Sequence, residues 1–469
     1  MITKKFKRNK QRINYIEPTD DVMTERAGLA LIVRYIESTR IYSLFSRYFS
    51  SIKKNKKGIE VIDIIKQIIC YFVDGTYFSL VRFDELKKDI GYAGVIEEGI
   101  ENMCSSHAVK RFFRAFNYYL IRCFRIMLRK LFIWRLKIEK PEIIILGMDT
   151  MVMNNEEAKK REGVSMAYNG EMGFQPLQLS WDRYLIDAVF RGGSKHGNCG
   201  DTAKNMIKKA VETIRKEYDK DVLILVRFDA GFFDGDLFKC LDEELKVGFI
   251  AGGKLYEDIK DYIVNVADEC GYKVYKGKEN MWEYFEFEDS RSSWQQEQSY
   301  RVIYTRVMME GKQMILEFAR RDNIIYTNIG TNKDLSDKLN ELTKGEYLKA
   351  EKIIQLYHHR GRDEIVNEAL KNFGTERLPF KRFSSNAAYY YFMIIAYNLF
   401  EAFKVDVASG IIDINSYAMT VRRRFIDISG KIICKSGKII LKVSRFIYDR
   451  LNIKGLWLRA NEALMIDSG

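Results

Sequence analysis

Two uninterrupted apolar runs, each ending in an aspartate, constrain this chain more than any other feature. Ile143-Ile144-Ile145-Leu146-Gly147-Met148 leads into Asp149-Thr150. Val222-Leu223-Ile224-Leu225-Val226 leads through Arg227-Phe228 into Asp229-Ala230-Gly231-Phe232. Apolar runs of this length without alternation predict strands covered on both faces, the central strands of an α/β sheet. An acid at the carboxyl end of such a strand points into the crevice where open α/β sheets bind ligands. Many strands end in Asp, so either motif alone carries little weight.

A third acid comes with basic and aromatic company. In the stretch Tyr357-His358-His359-Arg360-Gly361-Arg362-Asp363-Glu364, continued to Lys371, the residues Tyr357, Arg360, Glu364 and Lys371 recur at helical offsets. At roughly 100° per residue all four share one narrow face of a single helix. A phenol, a guanidinium, a carboxylate and an ammonium on one face suit a metal-bound phosphodiester. The acid takes the cation, Arg and Lys take phosphate oxygens, and the ring takes a base or sugar. A solvated, salt-bridged face is the alternative. Two strand-end acids and one helical acid together make a divalent-metal triad.

Charge agrees with a polyanionic partner. The chain of 469 residues has a formal net charge of +13 and a pI near 9.1, an argument for polyanion binding though not for a fold. A basic membrane-surface protein is disfavoured, because no apolar run follows the basic start and no signal pattern is present. The most apolar stretch, 387–403, contains Asn398 and Glu401 and falls short of the about 20 residues a bilayer crossing needs, so it predicts a buried core helix. Cysteines 70, 104, 123, 199, 240, 270 and 434 form no C-x-x-C pair, which predicts reduced, packed thiols. The histidines at 107, 196, 358 and 359 lack metal-ligand spacing.

The three acid motifs together resemble the DDE transposases of bacterial insertion sequences, in the cut-and-paste group whose third acid sits in a Y-x2-R-x3-E-x6-K signature. Tyr357, Arg360, Glu364 and Lys371 keep every spacing of it. Asp149-Thr150 resembles the first-acid motif, and Arg227-Phe228-Asp229-Ala230-Gly231-Phe232 the second. Gly374 to Asn386, with Phe383-Ser384-Ser385-Asn386, also resembles the family. The resemblance is specific at the acids and loose elsewhere, from about residue 25 onward.

The expected organisation is an α/β RNase H-like catalytic core with a mostly β insertion, preceded by an α-helical DNA-binding region. Residues 1–20 read as a flexible basic arm carrying Lys4, Lys5, Lys7, Arg8, Lys10 and Arg12. Residues 21–140 read as a helical region that binds DNA ends. Within it Ser105 caps a helix bearing Lys110, Arg111 and Arg114, a candidate recognition helix. The next helix carries Arg122, Arg125 and Arg129 as a basic stripe; solvated surface charge is the rival reading for both. Residues 141–251 are the first part of the core: a strand at 142–149, strands at 174–182 and 184–191, a helix at 200–218, a strand at 221–228, a helix at 233–245 and a strand at 247–251. Three strands followed by helix alternation is the RNase H-like order, in which the first and fourth strands are neighbours. Residues 252–345 form the β-rich insertion, with runs at 272–276, 283–287, 299–308, 312–318 and 323–329. Trp282 and Trp294 are its candidates for stacking on a flipped or hairpin-tip base, against the alternative of core tryptophans. Residues 346–403 complete the core with the third acid, with a wrinkle at Gly361, and residues 404–469 form a C-terminal region with basic Arg422, Arg423 and Arg424.

The resemblance implies a metal-dependent enzyme of DNA cleavage and strand transfer. Asp149, Asp229 and Glu364 would hold two Mg²⁺ ions, with Mn²⁺ able to substitute, Asp149 bridging both. Arg360 and Lys371 would grip phosphates and Tyr357 would pack against the backbone. The partners would be transposon-end and target DNA, with a homodimer on paired ends, in a bacterial cytoplasm beside the nucleoid. The rivals are an RNase H-like nuclease without strand transfer and an inactive DNA-binding descendant. Asp187, inside a strand, and Asp201, near a helix start, are the alternatives to an assigned acid, and neither follows a strand-end motif.

Overall fold

The computed structural model describes residues 13–53, 57–195, 199–277, 280–291, 294, 298–359 and 361–467; the side chains of 267–270 and 361–364 are outside that description. The expected arm therefore lies outside the described residues up to residue 12. Residues 13–20 carry no regular secondary structure and are exposed.

The apolar runs form the strands they predict. β1 (Ile143–Thr150), β2 (Leu177–Trp181), β3 (Tyr184–Val189), β4 (Leu223–Phe228) and β5 (Gly248–Gly252) belong to one sheet. β1 runs parallel to β4 and β4 parallel to β5, while β2 and β3 add on antiparallel. All six residues of β4 are buried, as a strand covered on both faces requires. The first and fourth strands are thus neighbours, and Met148 lies opposite Phe228 in register.

The insertion does not stand apart from this sheet. β6 (Lys273–Lys276), β7 (Asn280–Asp289), β8 (Tyr300–Glu310) and β9 (Asp322–Thr327) extend it through β9 pairing with β5, giving the order β6-β7-β8-β9-β5-β4-β1-β2-β3. Ten strands belong to it once Gln313–Met314, paired to β8, is included. The run at 312–318 is only this short pair followed by a 3₁₀ turn at Glu317–Ala319. Two helices, Glu257–Cys270 and Lys333–Thr343, also lie between β5 and the third-acid region, which the sequence predicts as mostly β without locating a helix there. The helix expected over 233–245 is Gly235–Lys239 continued by a π-turn.

Helices cover the sheet. α1 (Ser106–Arg114), α2 (Tyr118–Glu139), α3 (Thr202–Glu217), α4 (Ala350–His358), α5 (Gly361–Phe373) and α6 (Phe383–Asp406) matter for the site. α6 is buried without a break from Ser385 to Lys404, as expected of a helix apolar all round. It packs against the N-terminal helices Leu29–Ser38 and Val61–Asp74, against α1 and α2, and against β3. Several of its polar side chains are paired. The Tyr391 hydroxyl donates to Ala188 O, Asn398 bonds both Leu185 N and O, and Lys404 Nζ sits 2.8 Å from Glu401 Oε1. Among the described residues no helix is long and apolar enough to cross a membrane. A small sheet of Val22–Thr24, Gly430–Lys435 and Lys438–Val443 joins the two ends of the chain.

Candidate active site

Strand register brings the first two acids together. Asp149 follows Met148 and Asp229 follows Phe228, and those two residues are cross-strand partners on adjacent parallel strands, whose backbones run about 4.8 Å apart. Local backbone holds each carboxylate. Asp149 Oδ1 accepts from Thr150 N–H at 2.7 Å. Asp229 Oδ1 accepts from Gly231 N–H at 2.8 Å and caps the 3₁₀ turn Ala230–Phe232.

The third-acid region departs from one straight helix. α4 ends at His358 and α5 starts at Gly361, so helical phase does not run from Tyr357 through to Glu364 and Lys371. Lys371 belongs to α5, and tertiary packing places Tyr357 at the end of α4. Tyr357 is buried at the end of α4, and a Cβ built on Gly252 would stand 2.6 Å from its hydroxyl and 2.7 Å from Ala230 N. Only a glycine at the end of β5 allows Tyr357 and the Asp229 turn to approach so closely. Arg227, buried on β4, donates to Leu356 O at 3.0 Å and ties the strand bearing Asp229 to α4.

Asn367 completes the contact from α5. Its side-chain amide donates to Asp149 Oδ2 at 2.9 Å. Residue 364 lies three positions earlier on the same helix, and residues three apart share a face. The backbone of Glu364 is therefore one turn from the Asn367–Asp149 contact. Sequence reasoning missed Asn367, although the periodicity that selected Glu364 and Lys371 also covers it. Lys371, one turn further on, pairs with Glu376 at 3.1 Å. Arg360 lies outside the described residues.

The remaining candidates are dispersed. Ser105 caps α1 as expected, accepting from Ala108 N–H at 3.3 Å. Lys110 and Arg114 line one cleft with the chain entering α6, whereas Arg111 faces another beside Lys53 and Lys57. Trp282 is buried between Tyr275 and His358, with ring centroids 5.4 Å and 4.9 Å away. Trp294 packs among Phe233, Phe238, Tyr300 and Tyr326. Both indoles are thus engaged within the protein.

The basic stripe on α2 divides: Arg122 is exposed, whereas Arg125 and Arg129 turn to a partner inside the protein. Arg125 embraces the fully buried Asp187 through Nε and Nη2, at 2.7 and 2.8 Å, and Arg129 Nη1 adds a third bond at 2.9 Å. Burial of Asp187 inside β3 demands these cations. Arg422 is likewise buried, donating to the carbonyls of Phe72, Val73 and Phe373.

Whether the site suits a divalent ion is a question of donors. The two acids that the strand register brings together are carboxylates, hard oxygen donors that match Mg²⁺. Asp149 accepts an N–H bond at each oxygen, from Thr150 and from Asn367, and Asp229 accepts one from Gly231; carboxylates held in this way are hard anionic donors. The donor chemistry therefore fits such a metal. Among the described residues no cluster of three metal-binding side chains forms, and the Glu364 side chain is not among them.

The chain matches the family model described as transposase DDE domain group 1 over residues 15–455. Among solved structures it is similar to a piggyBac transposase in a synaptic complex with hairpin DNA, at 13% identity, covering 95% of this chain and 88% of that chain, with a TM-score of 0.38. No curated protein matches it. The family match runs through both strand-end aspartates and the whole of α5, and the chain accordingly belongs to the DDE transposase domain family, group 1.

Proposed function

We propose that this protein is a DNA transposase that cuts the ends of its own element and joins them to target DNA, using Asp149, Asp229 and Glu364 within an RNase H-like core. The single observation that carries this reading is the register of β1 against β4, which sets Asp149 beside Asp229 with α5 against them. Family membership implies divalent metal, and the oxygen donors favour two Mg²⁺ ions, with Mn²⁺ as substitute. Bound metal would activate the attacking oxygen and stabilise the leaving one.

The chain's own residues orient and neutralise. Asn367 and the backbone N–H of Thr150 hold the Asp149 carboxylate, and Gly231 N–H holds Asp229. Lys371 exchanges Glu376 for a phosphate oxygen, and Arg360 grips a second. Tyr357, buried beside the Asp229 turn, fixes the strand end rather than reaching far into solvent. The helical region to residue 140 recognises the element's terminal repeats, with Lys110, Arg111 and Arg114 as contacts. A freed 3′-hydroxyl attacks the opposite strand to form a hairpin, displacing the flanking strand; water reopens it, and the 3′ ends attack target phosphates. Two protomers act on paired ends, in the compartment that holds the chromosome.

The test uses linear DNA carrying the gene's own flanks, with Mg²⁺, beside Asp229→Asn and Glu364→Gln. Nicks at one position followed by hairpin-sized products, lost in both variants, are expected. Nicking without end specificity would instead identify a plain nuclease, and specific binding without cleavage an inactive descendant.

A further inference from the structure

A cleft of about 730 Å³ opens between α1, the Phe78–Val81 segment and the chain entering α6. Lys110, Arg114, Arg161, Arg377, Lys381 and Arg382 line it, and no acidic residue does. Glu157 meets Arg377 at 3.2 Å on the exposed rim. Arg161 donates to Asn155 Oδ1, and Arg382 to Arg114 O. Lys110, Arg114 and Lys381 make no ion pair among the described residues. Burial pulls the Arg161 guanidinium below its ordinary value, with Glu157 opposing it weakly.

Two further features point to an anion. Ser385 lines the same cleft, is fully buried, and its hydroxyl has no hydrogen-bond partner. A buried hydroxyl left unbonded is costly unless a ligand completes it. Ser385 also lies in the first turn of α6, a 24-residue helix with no side-chain N-cap bond from Arg382. The unsatisfied N–H groups of such an end attract anions. The carboxylate of Glu162 already takes the first of them, accepting from Phe383 N–H at 2.9 Å.

A chain of contacts links the wall of the cleft to Asp149. Asn155, the partner of Arg161, also donates to Glu376 O at 2.9 Å. Glu376 pairs with Lys371, which lies one turn of α5 beyond Asn367 and its bond to Asp149.

We propose that this cleft seats backbone phosphates of the DNA strand that leads to the acids. The Ser385 hydroxyl and the first turn of α6 donate to the oxygens of one phosphate, and Lys110, Arg114 and Lys381 neutralise its neighbours. The identity of the DNA rests on the transposase reading; the site itself rests on the cleft.

The experiment measures binding of a flanking-end duplex by fluorescence anisotropy in EDTA across a salt series, with the cleavage assay run in parallel. Full-length Arg114→Gln/Lys381→Gln should lower the slope of log K against log salt by about 1.8, at about 0.9 for each phosphate that the protein no longer neutralises. Ser385→Ala should weaken binding several-fold with an unchanged melting temperature, because it removes a hydroxyl that makes no bond in the free protein. Asp149→Asn should leave the slope unchanged while abolishing cleavage. An unchanged slope in the double variant, with end-specific cleavage intact in wild type, would overturn the cleft and leave the transposase reading standing. A lowered slope with no cleavage by wild type would support the cleft and count against the transposase reading. Inorganic phosphate bound in the cleft with an unchanged DNA slope would mark a small-anion site and also overturn the proposal.

Discussion

Asp187 offers the sharpest test of how charge is used in this protein. Its carboxylate is fully buried and accepts three guanidinium N–H bonds, from Arg125 and Arg129, besides the N–H of Ala188 at 2.8 Å. Replacing it with Asn removes the negative charge and turns an amide N–H toward two cations. Breaking a buried pair from one side costs about 3–5 kcal/mol. The arginine side chains retain 30% and 14% exposure, so they recover some hydration and the loss falls near the lower figure, about 3 kcal/mol. At about 2.1 cal mol⁻¹ K⁻¹ per residue, a chain of this length melts with an entropy near 1 kcal mol⁻¹ K⁻¹, so the melting temperature of one cooperative transition should drop by about 3 °C. Scanning calorimetry would read it. Arg125→Gln/Arg129→Gln should destabilise likewise while leaving the salt dependence of DNA binding untouched. Replacing all three residues by apolar ones of similar volume should restore much of the loss. The reasoning fails if the double arginine variant keeps its melting temperature and its salt slope for DNA binding instead falls by about 1.8, the signature of two unneutralised phosphates.

Other outcomes follow from the same geometry. Asn367→Ala removes a bond to a carboxylate worth about 1.5–3 kcal/mol, so DNA cleavage should fall by roughly 10- to 150-fold with binding in EDTA unchanged; equal cleavage would detach Asn367 from the site. Gly252→Ala drives a Cβ into Tyr357 and the Asp229 turn, and overpacking there should cost about 1–3 kcal/mol together with activity; a wild-type melting curve would refute the close approach. Asp84 accepts from the hydroxyl and N–H of Ser106 at the start of α1, which holds its carboxyl below the usual range. Because that value is lowered on folding, the stabilisation is complete above the unfolded pKa and disappears as pH falls through the folded one. Asp84→Asn should therefore flatten part of the acid limb of a pH–stability profile, and an unchanged limb would count against it.

What the sequence determined by itself is whatever local pattern dictates. Ile143–Met148 and Leu223–Phe228 lie in strands because such apolar runs have no other place than a covered sheet, and the acids follow these runs by chain continuity. The 387–403 stretch is a buried helix for the same reason. Tertiary structure decided everything that depends on a distant partner. Arg125 and Arg129 look like a solvent-facing stripe until β3 delivers Asp187, a residue remote in the chain. Helical phase from Tyr357 to Glu364 is valid only along an unbroken helix, and α4 already ends at His358. The insertion reads as mostly β, but alternation shows that a strand exists and not which edge it joins; hydrogen bonding of β9 to β5 settles that. Lys110 and Arg114 part from Arg111 because the cleft walls come from α6 and the loop before it. Ion pairing, strand order and cleft formation are non-local, and no spacing within a segment encodes them.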